Sequence, residues 1–127
     1  MKREIVFTDG FQGTLYLENG TVPIGKVPGG AAPYELLYGA LASCLYATFM
    51  GILIKKKISI TECRIEVDGE KREEIPTTLE WCHLTVTIKG AEKEEPIKKS
   101  FDLACKYCSI YTTISQVAKM SWEMKFE

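Results

Sequence analysis

At 127 residues, with 16 basic and 17 acidic side chains and a single histidine, the chain is nearly neutral and long enough for a real core. A domain of that size buries roughly two-thirds of its unfolded surface without a structural disulfide or metal. Near-neutrality without a basic stripe interleaved with aromatics argues against a nucleic-acid binder. The opening Met1-Lys2-Arg3-Glu4-Ile5 has no apolar run ahead of a cleavage site, and the five cysteines are odd in number. Together these suggest no secretory signal and free thiols in a reducing compartment, with a cytoplasmic location the expectation.

In chain order, Lys2 to Thr8 and Gly13 to Glu18 read as strands flanking an Asp9-Gly10 turn, with Asn19-Gly20 a second turn. Thr21 to Ala32 reads as a Gly/Pro loop. Its Gly25-Lys26-Val27-Pro28-Gly29-Gly30 lacks the Lys-Ser/Thr that a phosphate loop needs. Pro33 suits the first position of a helix, where its missing N–H is no loss, and Glu35 suits the positive end of the dipole. That helix is expected to run to about Lys57.

From Leu36 to Ile54 it carries no charge, and Lys55-Lys56-Lys57 follows, as a membrane span with a basic flank would have it. Gly39, Ala40, Ala42, Ser43, Cys44, Ala47 and Gly51 make it small-residue-rich instead, and the strands elsewhere need a partner for their apolar faces. A buried central helix is therefore expected, and no membrane. On a 100° wheel Ala40, Cys44, Ala47, Thr48 and Gly51 form a small stripe that lets another backbone approach and leaves the Cys44 sulfur room for a small reactant.

Glu62 to Asp68 and Leu79 to Lys89 alternate as strands, with Cys63, Ile65 and Val67 on one face of the first and Cys82, Leu84, Val86 and Ile88 on one face of the second. Gly69 to Thr78 between them reads as a charged connection. Pro96 marks a second helix start, with Ile97, Phe101, Leu103 and Ala104 as its apolar side. Gln116 to Glu127 reads as a closing strand, with Val117, Met124 and Phe126 against Lys119, Glu123 and Lys125 and a slip near Met120 to Trp122. The order of strands, long helix, strands, short helices and strand is that of an α+β domain spanning 1–127.

Cys63 and Cys82 read as core packing, because a free cysteine behaves as a small hydrophobe. His83 points away from the face of Cys82, toward solvent beside Trp81, and any Ser-His or Cys-His hydrolase would rest on it alone. Cys105-Lys106-Tyr107-Cys108 has the C-x-x-C spacing of redox and zinc sites. A zinc site needs two further ligands that the chain does not offer on one side, and a thioredoxin-like pair should open a helix, where Cys105 closes one. Cys108 then reads as the working thiol and Cys105 as incidental. If Ser109 to Ile114 begins a short helix, its free N–H groups lower the Cys108 pKa, whereas Cys44 inside a helix has no such help. One thiol in an apolar helix and another at a helix start are the parts a two-cysteine peroxidase needs.

Pro33-Tyr34-Glu35-Leu36-Leu37, with Cys44 nine residues after Glu35, and Lys106-Tyr107-Cys108-Ser109-Ile110 later on, resemble the two motifs of the OsmC/organic hydroperoxide resistance family. The order of elements agrees over nearly the whole chain. The resemblance implies an intertwined homodimer with the long helices packed in its middle. It also implies Cys44 as peroxidatic and Cys108 as resolving cysteine, consuming organic hydroperoxides with a dithiol reductant and no cofactor or metal. The family's peroxidases carry a Glu directly after the Pro, where this chain has Tyr34. They also use an Arg from the N-terminal region, where this chain has none between Arg3 and Arg64, though Lys26 can stand in as a point charge. Those departures resemble the less characterised OsmC-like branch. Tyr34, Glu35, Tyr38, Phe49 and Tyr107 are the substrate-pocket candidates. The competing expectation is a non-enzymatic dimer of the same fold that binds a small apolar ligand or senses oxidants.

Overall fold

The computed structural model describes residues 1–127, which divide into two compact units, residues 1–39 and 40–127. In the first unit β1 (Glu4–Thr8), β2 (Gln12–Leu17) and β3 (Gly20–Gly25) form an antiparallel sheet in the order β1-β2-β3. Asp9 and Gly10 both take positive φ, 46° and 76°, which turns β1 back onto β2. The strand β3 corrects the sequence reading, which placed Thr21 to Ala32 in a loop. Pro23 argued for a loop, but β3 lies at the sheet edge, where a residue lacking an N–H is tolerated. The Pro23 carbonyl instead accepts the N–H of Ala31 at 2.9 Å. At Gly25, with φ 90°, a Cβ would meet the carbonyl of Phe11, so only glycine lets β3 end beside that loop.

Helix α1 spans Pro33–Lys55. Glu35 Oε1 accepts the N–H of Ala32 at 2.8 Å, while the Ala32 carbonyl accepts the first helical N–H, from Leu36. This is the reaching-back half of a capping box, and it makes Glu35 a structural cap. The helix stops two residues earlier than expected because Lys57 adopts φ 58°. The Ile58 N–H bonds the Leu53 carbonyl and the Lys57 N–H bonds that of Ile54, a Schellman motif with lysine in the usual glycine position.

Helix α1 is 23 residues long and its most apolar 18-residue stretch has a mean hydropathy of 1.8, long and apolar enough to cross a bilayer by length and composition. One face of it is nonetheless committed to packing within the second unit. Leu41, Leu45, Phe49 and Leu53 are buried at four-residue spacing, and Phe49 meets Phe101 of α2 (Glu94–Tyr107) edge-to-face at 5.3 Å.

The second unit is built on β4 (Glu62–Lys71), β5 (Leu79–Lys89) and β6 (Lys119–Phe126), with β4 antiparallel and β6 parallel to the central β5. Across the sheet the register aligns Ile65, Val86 and Met124 in one row and Val67, Leu84 and Trp122 in the next. These inward rows meet α2, whose Phe101 packs on Trp122 at 4.8 Å. Three boundaries differ from the sequence reading: α2 begins at Glu94, two residues before Pro96. β4 continues to Lys71, and β6 begins at Lys119 with unbroken alternation: Met120, Trp122, Met124 and Phe126 are the more buried positions. The supposed slip arose from counting Val117 as a strand residue; it is exposed, in the turn after α3 (Ser109–Ser115). The mixed strands, long helix and short helices are those expected of an α+β protein.

Candidate redox site

Within the second unit, α1 and the junction of α2 with α3 bring two sulfurs together. Cys44 lies in the middle of α1, and Cys108 is the single residue between the two short helices. The Cys108 N–H bonds the Ala104 carbonyl at 2.8 Å and so closes α2, while its carbonyl accepts the Thr112 N–H at 3.0 Å and so opens α3. Its own φ and ψ are extended, −73° and 116°, which turns the chain between the helices. The thiol acts as the N-cap of α3, its sulfur accepting the Tyr111 N–H at 3.4 Å. The same sulfur lies 3.2 Å from that of Cys44, toward which its S–H is directed. A disulfide requires the sulfurs to close to about 2.05 Å, so the pair stands near bonding distance with both thiols free.

The environment separates the two thiols. The backbone N–H of Ile110 lowers the Cys44 pKa most, followed by the Cys108 thiol as donor; burial opposes them, and the hydroxyl and N–H of Ser109 add to the lowering. Burial raises the Cys108 pKa, offset in part by the Tyr111 N–H and reinforced by neighbouring Cys44. Of the pair, Cys44 is therefore the sulfur that ionises more readily and Cys108 the one that better keeps its proton. This reverses the sequence expectation, in which the helix start activated Cys108 and Cys44 had no support. At 3.2 Å the two sulfurs share one helix terminus, and the amides of Ser109 and Ile110 serve the less buried sulfur. Those amide donors were missed because a backbone N–H has no residue signature; the only signal was the expected helix start at Ser109.

The other candidates are placed by their own elements. Glu35 is held by Ala32, and Tyr34 and Tyr38 pack edge-to-face at 6.1 Å, all three in the first unit. Tyr107 is 72% exposed on the last turn of α2. Phe49, expected to line a pocket, is fully buried against Phe101; as the largest side chain on the packed face of α1 it belongs to the core. Burial pushes the Cys63 thiol up to about 11 and that of Cys105 up to about 12, and it also raises Cys82. His83 lies on the sheet face opposite the core, between Ser121 (2.7 Å) and Glu123 (3.3 Å). No group of His, Cys, Asp or Glu residues is arranged to hold a metal ion.

Comparison with known proteins places this geometry in context. A family model described as OsmC-like protein matches residues 25–123, which include both cysteines. Protein YhfA of Escherichia coli strain K12 is 24% identical over 92 residues, covering 71% of this chain and 69% of its own. The fold is similar to that of an OsmC-like protein from Mycoplasma pneumoniae, with a TM-score of 0.86 at 19% identity over 98% of this chain and 95% of the other. It is similar as well to an organic hydroperoxide resistance protein from Elizabethkingia anophelis, with a TM-score of 0.77 at 15% identity over 100% and 97% of the two chains.

Proposed function

The chain belongs to the OsmC-like family, and on that premise we propose that it reduces organic hydroperoxides with Cys44 as the attacking and Cys108 as the resolving cysteine. The observation that carries this reading is the 3.2 Å sulfur contact, with its thiolate-favouring donors gathered on Cys44. A fold shared with an organic hydroperoxide resistance protein supports the choice of substrate class.

In the proposed reaction the Cys44 thiolate attacks the distal peroxide oxygen. The O–O bond breaks, and the alkoxide leaves with a proton as the alcohol. Cys44 becomes a sulfenic acid. The Cys108 sulfur then bonds Cys44 Sγ and displaces hydroxide, which leaves as water with the Cys108 proton. An external dithiol reduces the disulfide by two exchange steps. Tyr34, Glu35, Tyr38 and Tyr107 remain the residues to vary for effects on substrate choice.

Two further parts of the reading are a cytosolic location, in keeping with the free thiols, and a homodimer. Tyr46, Met50 and Ile54 stand 37%, 42% and 66% exposed along α1 at four-residue spacing, an apolar stripe that a second copy would cover. Light scattering should give twice the 14.3 kDa chain mass, and a monomer at micromolar concentration would remove the dimer from the reading.

The deciding test is cumene hydroperoxide consumption with excess dithiol. Cys44→Ser should lose turnover by at least about 100-fold. Cys108→Ser should reduce one equivalent and then accumulate over-oxidised Cys44. Consumption no faster than that by free dithiol would favour the second reading, a dimer that binds an apolar ligand or senses oxidants. Tyr34 in place of the family peroxidases' Glu favours that second reading.

A further inference from the structure

The C-x-x-C spacing of Cys105 and Cys108 has no part in the two-cysteine cycle, yet the fold keeps the two close. The Cys108 N–H still bonds the Ala104 carbonyl, so Cys105 and Cys108 sit one helical turn apart. In that geometry their Cα atoms are separated by about 5 Å, inside the usual disulfide range of about 4.4–6.8 Å. Cys105 is only 7% exposed and Cys108 is fully buried, and Cys108 lies close enough for its charge to help raise the Cys105 thiol. Tyr111 neighbours both: its N–H binds the Cys108 sulfur at 3.4 Å, and its side chain lies beside Cys105, the two raising or lowering each other's pKa.

We propose that Cys105 is a third redox thiol, which takes Cys108 over from the Cys44–Cys108 disulfide, so that oxidation comes to rest as a Cys105–Cys108 bond. Cys105 gives up its thiol proton to water and its sulfur bonds Cys108 Sγ. The Cys44–Cys108 bond breaks, and Cys44 leaves with the electron pair as a thiolate. The step is an exchange, so it consumes no further oxidant or reductant. It rests on the pairing of Cys44 with Cys108 proposed above.

Direction follows from leaving-group chemistry. The thiol of lower pKa leaves a disulfide more readily. Attack at Cys108 expels Cys44, the sulfur stabilised by the Ser109 and Ile110 amides, whereas attack at Cys44 would expel the poorly solvated Cys108. The resulting bond joins two buried thiols that ionise with difficulty, which makes it the harder one to reopen. The exchange should be slow, because few Cys105 thiols are ionised at neutral pH. Its consequence is that Cys44 can return to its reactive form without an external reductant. The waiting disulfide is flanked by the exposed Lys106 and Tyr107, on which a reductant can dock.

The test uses the full chain oxidised with one equivalent of diamide, which forms a disulfide without peroxide chemistry. Samples are alkylated at intervals and the bonds mapped by mass spectrometry. Cys44–Cys108 should appear first and pass mostly to Cys105–Cys108, with Cys44 becoming alkylatable again. Cys105→Ser and Cys105→Ala should both hold the bond at Cys44–Cys108. Cys44→Ser should slow formation of Cys105–Cys108 at least about tenfold. A Cys44–Cys108 bond as persistent in the wild type as in Cys105→Ser overturns the relay, as does a Cys105–Cys108 bond formed equally fast without Cys44. If Cys105→Ser forms no Cys44–Cys108 bond at all, the underlying pairing fails and the relay with it. Peroxide consumption that is absent while diamide still drives the transfer would reject the peroxidase alone.

Discussion

The two thiols of the site differ by what their sulfurs accept. Cys44 receives the amide of Ile110 and the thiol of Cys108, whereas Cys108 pays for its burial with little more than the Tyr111 amide. Iodoacetamide labelling against pH should therefore show Cys44 reacting with a midpoint below the ordinary thiol value of about 8.5 and Cys108 with one above it. Replacement of Ser109 by Ala should move the Cys44 midpoint upward, since it removes the weaker side-chain donor and leaves the Ile110 amide. Coincident midpoints for the two cysteines would remove the physical basis for calling Cys44 the attacking residue. Phe49 makes the contrasting case. It sits at the contact of α1 with α2, so Phe49→Ala should lower unfolding stability by about 3–5 kcal/mol in urea; a loss below about 1 kcal/mol would return it to a lining role.

Among the elements, α1 shows how local chemistry ends a helix that composition would have prolonged. Lys57 occupies a left-handed conformation that disfavours a side chain by about 1 kcal/mol. Lys57→Gly should therefore raise stability by roughly 0.5–1 kcal/mol, read as a higher urea midpoint with unchanged slope. A fall in stability would show that the lysine charge at the helix terminus outweighs its backbone strain. The starts of α1 and β5 and the alternation of β4 were legible because Pro33, Leu79 and the Cys63-Ile65-Val67 row act within a few residues. β3 was not, because Pro23 and Gly25 carry loop signals that only an edge position in a sheet overrides. Val117 misled the reading of β6 for a related reason: an apolar residue in a turn continues a pattern on paper that the backbone has already left.

At the scale of the whole molecule, burial of ionisable groups sets an alkaline limit. Cys63, Cys105 and Tyr111 have folded pKa values raised to about 11, 12 and 12. Each raised group holds its proton in the folded state where the unfolded chain would lose it. Its contribution is thus intact below the unfolded value, about 8.5 for a thiol and 10 for a phenol, and is lost as pH climbs toward 11–12. The Tm should fall steadily above about pH 9, and Cys105→Ala should flatten that decline after allowance for its lower starting stability. A Tm independent of pH between 9 and 11 would mean these groups are more hydrated than the packing indicates.

The chain itself determined the element types other than β3, the inward rows of β4 and β5, the charge of Glu35 at the start of α1 and the choice of Cys44 and Cys108 as candidates. Each of these follows from side-chain pattern or from chemistry within a few residues. Tertiary structure alone decided that Cys44 and Cys108, separated by sixty-four positions, stand 3.2 Å apart. It also decided which of them ionises more readily, because the deciding donors include backbone amides of α3, and every residue but proline carries the same amide. Their direction comes from the turn at Cys108 and the packing of α1, which no side-chain pattern encodes locally.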